Sequence, residues 1–221
     1  MRNAIPCGAL LLVSSGCVLG QRPVALPAED GKAAVIVASG LMPPPIDDFA
    51  RHAWFAVRRA GAREWSTFEL WGATGEHHES ANPLYDHGGG GVMVHKVYTG
   101  DDAAEMIVCL ERETKGWDDA HTYIPLPGPN SNTYVDAMMR RCGIHATLPA
   151  TAIGRDHRGW IGLSQTSEGT GFQFETPLFG FKLGLKEGVE VHLFSFAFGV
   201  DLWPPALILP LGPGRLGFDD R

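Results

Sequence analysis

Side chains that ligate metals or carry protons are densest at Glu76-His77-His78-Glu79, with His87 and His95 downstream. Imidazole and carboxylate suit zinc, but the spacing is not HExxH, and adjacent histidines on an extended chain point to opposite sides. No metal site and no cofactor is therefore assigned. The run Asn130-Ser131-Asn132-Thr133 follows Gly128-Pro129 and offers a hydroxyl beside two amides. Its residue types are also those preferred at helix N-caps and turns, so it reads equally as a structural cap. Cys109 and Cys142 fall at apolar positions of expected helices, where a thiol packs as a small hydrophobe. Buried free thiols are the expectation, and a disulfide is left open because it requires the two helices to pack face to face.

The elements that must position these groups can be read from periodicity. His52–Val57 (HAWFAV) and Trp65–Gly72 (WSTFELWG) are strand-like runs separated as in a hairpin, and Val92–Tyr98 is a further strand. Residues 72–91 form a polar, Gly-rich loop between them. Asp101–Gly116 carries Met106, Ile107, Leu110 and Thr114 on one helical face, with Asp102 and Glu105 near the positive end of the helix dipole. A short strand is expected at His121–Leu126. A second helix follows, with Val135, Met138, Met139 and Cys142 on one face, a capping box of Thr133 with Asp136, and a stop at Gly143. Beyond residue 157 the chain reads as a meander of short strands punctuated by Gly and Pro. Trp54, Trp65 and Trp71 are read as core rather than as a binding platform, and His192 as a structural or strand-face histidine.

Composition bounds what such a body can do. The 221 residues are 44% hydrophobic and 19% charged, which allows one large domain with its own core. Eighteen Lys and Arg against 25 Asp and Glu give a net charge of −7, which disfavours nucleic acid as a partner. The expected fold class is α+β, an antiparallel sheet with helices packed on it. It is divided into a signal segment 1–17, a Pro-rich tether 18–48 that allows a strand at 33–38, a core 49–156 and a β-rich C-terminal lobe 157–221 of the same domain.

Three resemblances add to this reading. The N-terminal MRNAIPCGALLLVSSGC, with one cation, an apolar run and small residues before Cys17, resembles a bacterial export signal ending in a lipobox. It is too short to span a bilayer. The resemblance implies export to the periplasm or outer membrane, with attachment to the membrane through lipidated Cys17 and an envelope ligand or substrate as partner. Pro127–Val135 (PGPNSNTYV), Leu148–Gly154 (LPATAIG), HAWFAV and Gly188–Leu207 together resemble a bacterial family of unknown function, domain-of-unknown-function family 3750, over about residues 49–216.

A strand histidine, a helix and then an Asn-nucleophile-x-x-aromatic run opening another helix is similar to circularly permuted papain-like enzymes, the lecithin:retinol acyltransferase-like and NlpC-like groups. That resemblance implies Ser131 as nucleophile, where those enzymes carry Cys, and His52 as base. Glu69, His77, His78 or His95 would orient the imidazole, and Asn130, Asn132 and Thr133 would line the site. A serine needs its base within hydrogen-bond reach, a third group behind the imidazole and backbone N–H groups as an oxyanion hole. The implied activity is hydrolysis or acyl transfer on an amide or ester of a peptide or lipid. The alternative is a non-catalytic envelope lipoprotein with a structural or binding role. The string His87–Gly90 (HGGG) has no GxSxG elbow to accompany it, and Gly88–Gly91 lacks the GK[ST] of a phosphate-binding loop.

Overall fold

The computed structural model describes residues 26–70, 77–80, 84, 90–117, 122–212 and 214–218, with residues 77–80 described in their backbone. The signal segment with Cys17, and Trp71, Glu76 and His87, lie outside the described residues. The architecture is α+β, with two antiparallel sheets and two helices.

The first sheet has the order β4-β3-β2-β1-β5, formed by β1 (Ala34–Leu41), β2 (Arg51–Arg58), β3 (Trp65–Phe68), β4 (His77–Ser80) and β5 (Met93–Thr99). β1 lies inside it, between β2 and β5, so residues 34–41 of the stretch read as a tether belong to the sheet. The prolines flank AVIVASGL at positions 27 and 43 rather than interrupting it, and the uninterrupted apolar run is buried on both faces. Odd-numbered residues Val35, Val37, Ala53, Phe55 and Val57 enter the core shared with the helices, while Ala34, Ile36, Ala38, Trp54 and Ala56 enter a second cluster on the opposite face. The pairing of β1 with β5 slips between Val37 and Ala38, leaving His95 as an extra residue whose Nε2 lies 2.9 Å from Ser39 Oγ.

Helices α1 (Asp101–Lys115) and α2 (Ser131–Arg141) cover the odd-numbered face. Helix α1 buries Ala103, Ile107 and Leu110, and Tyr134, Val135, Met138 and Met139 of α2 join them over β2. Cys109 and Cys142 are joined by a disulfide with Cα atoms 5.6 Å apart, which replaces the expected free thiols. Both sulfurs lie at the half-buried seam where the helices meet, the face-to-face packing the bond requires. Residues 122–126 form no strand, since Pro125, Pro127 and Pro129 break the run.

The second sheet is a seven-stranded meander ordered β12-β11-β10-β9-β8-β7-β6. Its strands are β6 (Gly162–Gln165), β7 (Gly171–Glu175), β8 (Phe179–Gly184), β9 (Gly188–Leu193), β10 (Phe196–Leu202), β11 (Pro205–Ile208) and β12 (Arg215–Gly217). Its polarity is inverted. The buried side carries Gln173, Glu175, Lys182, Glu190, His192 and Asp201, while Phe172, Leu183, Val189, Val191, Phe198, Val200 and Leu207 face outward. Register explains the separation into rows. Gln173, Lys182, Glu190 and Gly199 are successive partners across β7–β10, and so are their outward neighbours Phe172, Leu183, Val189 and Val200.

Candidate functional site

The two strings PGPNSNTYV and LPATAIG meet at the N-terminus of α2. Asn130 is the N-cap, and its Oδ1 accepts from the N–H groups of Asn132 and Thr133 at 3.0 and 3.2 Å. The reciprocal bond of the capping box comes from Asn130 N–H to Thr133 Oγ1 at 3.1 Å, so the box is Asn130–Thr133 rather than Thr133–Asp136. Asn130 Nδ2 donates to the carbonyls of Pro125 and Ile153, and Thr133 Oγ1 donates to the carbonyl of Gly154 at 2.7 Å. Gly154 has φ +87°, and a Cβ there would fall 2.1 Å from Asn130 Nδ2, so only glycine lets the loop approach the cap this closely.

Asn132 reaches sideways into the sheet. Its Oδ1 accepts from Ala53 N–H at 2.9 Å, and its Nδ2 donates to Arg51 and Ile153 carbonyls at 2.8 and 2.9 Å. Asn130, Asn132 and Thr133, expected to line a site, therefore spend their polar atoms on backbone groups of the fold. All three are buried.

His52 lies between the two residues that Asn132 grips, yet its side chain belongs to the other face of β2. It stacks against Trp54 with ring centroids 6.2 Å apart, on the side of the sheet opposite α2. There its Nε2 lies 2.7 Å from Glu69 Oε2, with both side chains at most 3% exposed. The structure thus brings His52 and Glu69 together and leaves Ser131 on the helix side. No hydrogen bond among the described residues joins Ser131 to His52. His95, another candidate orienter, faces Ser39, and the side chains of His77 and His78 are outside the description.

A second constellation was not singled out from the sequence. Arg155 and Asp156, directly after LPATAIG, enter the polar interior of the second sheet. Arg155 Nε donates to Asp156 Oδ2 at 2.8 Å, and its Nη2 pairs closely with Glu190. Lys182 Nζ lies 3.0 Å from Asp156 Oδ1 and 3.4 Å from Glu190 Oε1. His192 places Nδ1 on Glu175 and Nε2 3.3 Å from Glu190 Oε2. Arg158 links the cluster to α2 through Asp136 at 2.9 Å and to Gln173 at 3.1 Å.

Burial alone would push the His192 imidazolium down, but the Asp156 charge and the hydrogen bonds to Glu175 and Glu190 outweigh it and raise its pKa to about 9. Burial likewise pushes the Glu190 carboxyl up, and Arg155 and Lys182 override it, bringing it down to about 2. Asp156 is held well below the usual carboxylate range by Arg155, His192 and Lys182 against the same burial.

Asp156, Glu190 and His192 offer potential metal-ligand atoms within 4.8 Å of one another. The His192–Glu175 contact has the form of an outer-shell partner to a metal-bound imidazole. However, Arg155 and Lys182 already neutralise the carboxylate oxygens that a cation would use, so the donor set fits an internal ion-pair network better than a metal centre. The signal that would have found it is the period-two spacing of polar residues from Gln173 to His192, with the Arg-Asp pair that follows TAIG.

A family model described as "Protein of unknown function (DUF3750)" matches residues 33–157. No curated protein and no solved structure matches the chain.

Proposed function

The chain belongs to the DUF3750 family of unknown function, and from that premise we propose that it is an exported, non-catalytic protein of the cell envelope with a structural or binding role. The observation that carries this reading is the bonding of Asn132 to Ala53, Arg51 and Ile153, with His52 committed to Glu69 on the far side of β2. The hydroxyl of Ser131 then does not have His52 as the base that a serine nucleophile needs, and the NSNT run is joinery between helix, strand and loop. The Cys109–Cys142 disulfide supports export, because such bonds persist in oxidising compartments. In this reading Cys17 is the lipid-bearing residue that holds the chain to the periplasmic side of a membrane.

The test is labelling of the full chain with a fluorophosphonate probe, alongside assays on ester and peptide substrates. The expected result is no labelling and no turnover above those of Ser131→Ala. Labelling that vanishes in Ser131→Ala would overturn the non-catalytic reading. Export is read separately, by fractionating cells and trapping thiols. Recovery in the cytoplasm with Cys109 and Cys142 reduced would overturn it. A fatty-acid label lost in Cys17→Ser reports the anchor.

A further inference from the structure

The second sheet has a face that nothing among the described residues covers. Its outward rows are Phe172–Leu183–Val189–Val200–Leu207–Leu216 and Leu163–Phe174–Phe181–Val191–Phe198, each a chain of register partners. Leu163 is 75% exposed and Leu207 50%, and no charged residue stands in either row. Seven strands of 3 to 7 residues, spaced about 4.8 Å apart, give a footprint of about 500 Å². That lies in the upper part of the range for the largest apolar patches on soluble monomers.

The make-up and extent of the face narrow what can cover it. The inward side carries a row of glycines, Gly171, Gly184 and Gly188, that are register partners across β7–β9, with Gly180 further along β8 and Gly199 on β10. A Cβ at Gly171 would fall 1.8 Å from the Leu183 carbonyl oxygen, and one at Gly188 2.1 Å from that of Val200. A side chain at these positions would collide with the neighbouring strand, so the glycines let the strands lie close on the polar side while the bulky apolar residues stand on the outer one. A footprint of about 500 Å² falls short of the about 800 Å² per partner that a stable dimer interface needs. Acyl chains, in contrast, need no matching surface, and uncharged rows whose hydrogen-bonding side chain is Gln165, at the β6 edge opposite Phe172, complement them.

Apolar-out, polar-in alternation around a charged interior is the pattern of a barrel wall in lipid. Strands of 3 to 7 residues are too short to cross a bilayer, which takes about 9–11. Trp160, 86% exposed, lies before β6 at one end of the strands, and Trp203, 78% exposed, follows β10 at the other. Tryptophan favours the headgroup boundary, so the two mark the rim of an inserted patch.

We infer that the apolar outer face of β6–β12 seats in one leaflet of a lipid bilayer, with Trp160 and Trp203 at its rim. This inference goes beyond the envelope role and rests on the sheet alone, so it stands or falls separately from export and from the chemistry of Ser131. The occupant is acyl chain rather than anionic headgroup, since the protein's net charge of −7 opposes an anionic surface.

The experiment uses the full chain from a reconstituted translation system, where Cys17 stays unlipidated, floated with phosphatidylcholine vesicles. Binding is expected to persist at 1 M salt. Val191→Asp and Leu207→Asp, on separate strands, are each expected to weaken partitioning about tenfold or more while circular dichroism and thermal melting stay unchanged. Brominated acyl chains are expected to quench tryptophan emission, and most of that quenching should be lost in the Trp160→Phe/Trp203→Phe variant. Several outcomes overturn the inference: no flotation, flotation lost in Leu11→Asp but kept in both sheet variants, or a sedimentation dimer that the sheet variants dissociate. If one variant fails to fold, the other and the quenching still decide.

Discussion

Asn132 Oδ1 accepts the backbone N–H of Ala53, and this bond pins the start of α2 over the odd-numbered face of β2. The neighbour His52 is thereby turned to the opposite face, where Glu69 meets it. Asn132→Ala leaves Ala53 N–H and two carbonyls without their partner in a buried site, and each such loss costs about 1–3 kcal/mol. Denaturant unfolding is expected to show a loss of at least about 2 kcal/mol for Asn132→Ala and less than about 1 kcal/mol for Ser131→Ala. Equal losses would contradict the division of roles.

Stability is expected to fall on the alkaline side because of His192. Its folded pKa, near 9, lies above the unfolded value of 6.5, so the stabilisation is complete below pH 6.5 and disappears as pH rises through 9. The shift corresponds to on the order of 3 kcal/mol. On the acid side Glu190, brought down to about 2, stabilises above its unfolded value of 4.5 and loses that contribution as pH falls toward 2. Chemical denaturation from pH 5 to 10 checks the alkaline limb, and His192→Gln should flatten it.

Reducing Cys109–Cys142 opens a loop closed over a sequence separation of 33 and is expected to cost about 3–4 kcal/mol on the chain-entropy account. Thermal melts with and without reductant, compared with the Cys109→Ser/Cys142→Ser variant, measure it. A melt indifferent to reductant would contradict the expectation.

The inverted sheet reverses the usual cost of substitution. Gly171→Ala, on the inner side, is expected to destabilise by more than about 1 kcal/mol because its methyl meets the Leu183 carbonyl, while outward Phe172→Ala changes solution stability by less. Denaturant midpoints of the pair are the measurement.

Much of the first sheet and both helices are legible in the sequence, because HAWFAV, Val92–Tyr98 and the i, i+3, i+4 rows of α1 and α2 carry their period openly. What periodicity withholds is which face of a strand is covered. His52 and Ala53 have the same claim to the helix side until Asn132 chooses. The same ambiguity hides the second sheet: alternation from Phe172 to Val200 announces two faces, and convention places the apolar one inside. Only the glycine row and the Arg155–Asp156 pair reveal that the interior is polar. The disulfide is hidden for a different reason, since the facing of two helices is a tertiary fact absent from either helix alone.

The family match ends at residue 157, between Asp156 and the strands that answer it. Excision at that border would separate Arg155 and Asp156 from Lys182, Glu190 and His192, breaking the bridges that cross it and leaving only the pairs within each piece. The stretch matched to the family is therefore shorter than the piece that keeps these ion pairs whole, which carries the second sheet with it.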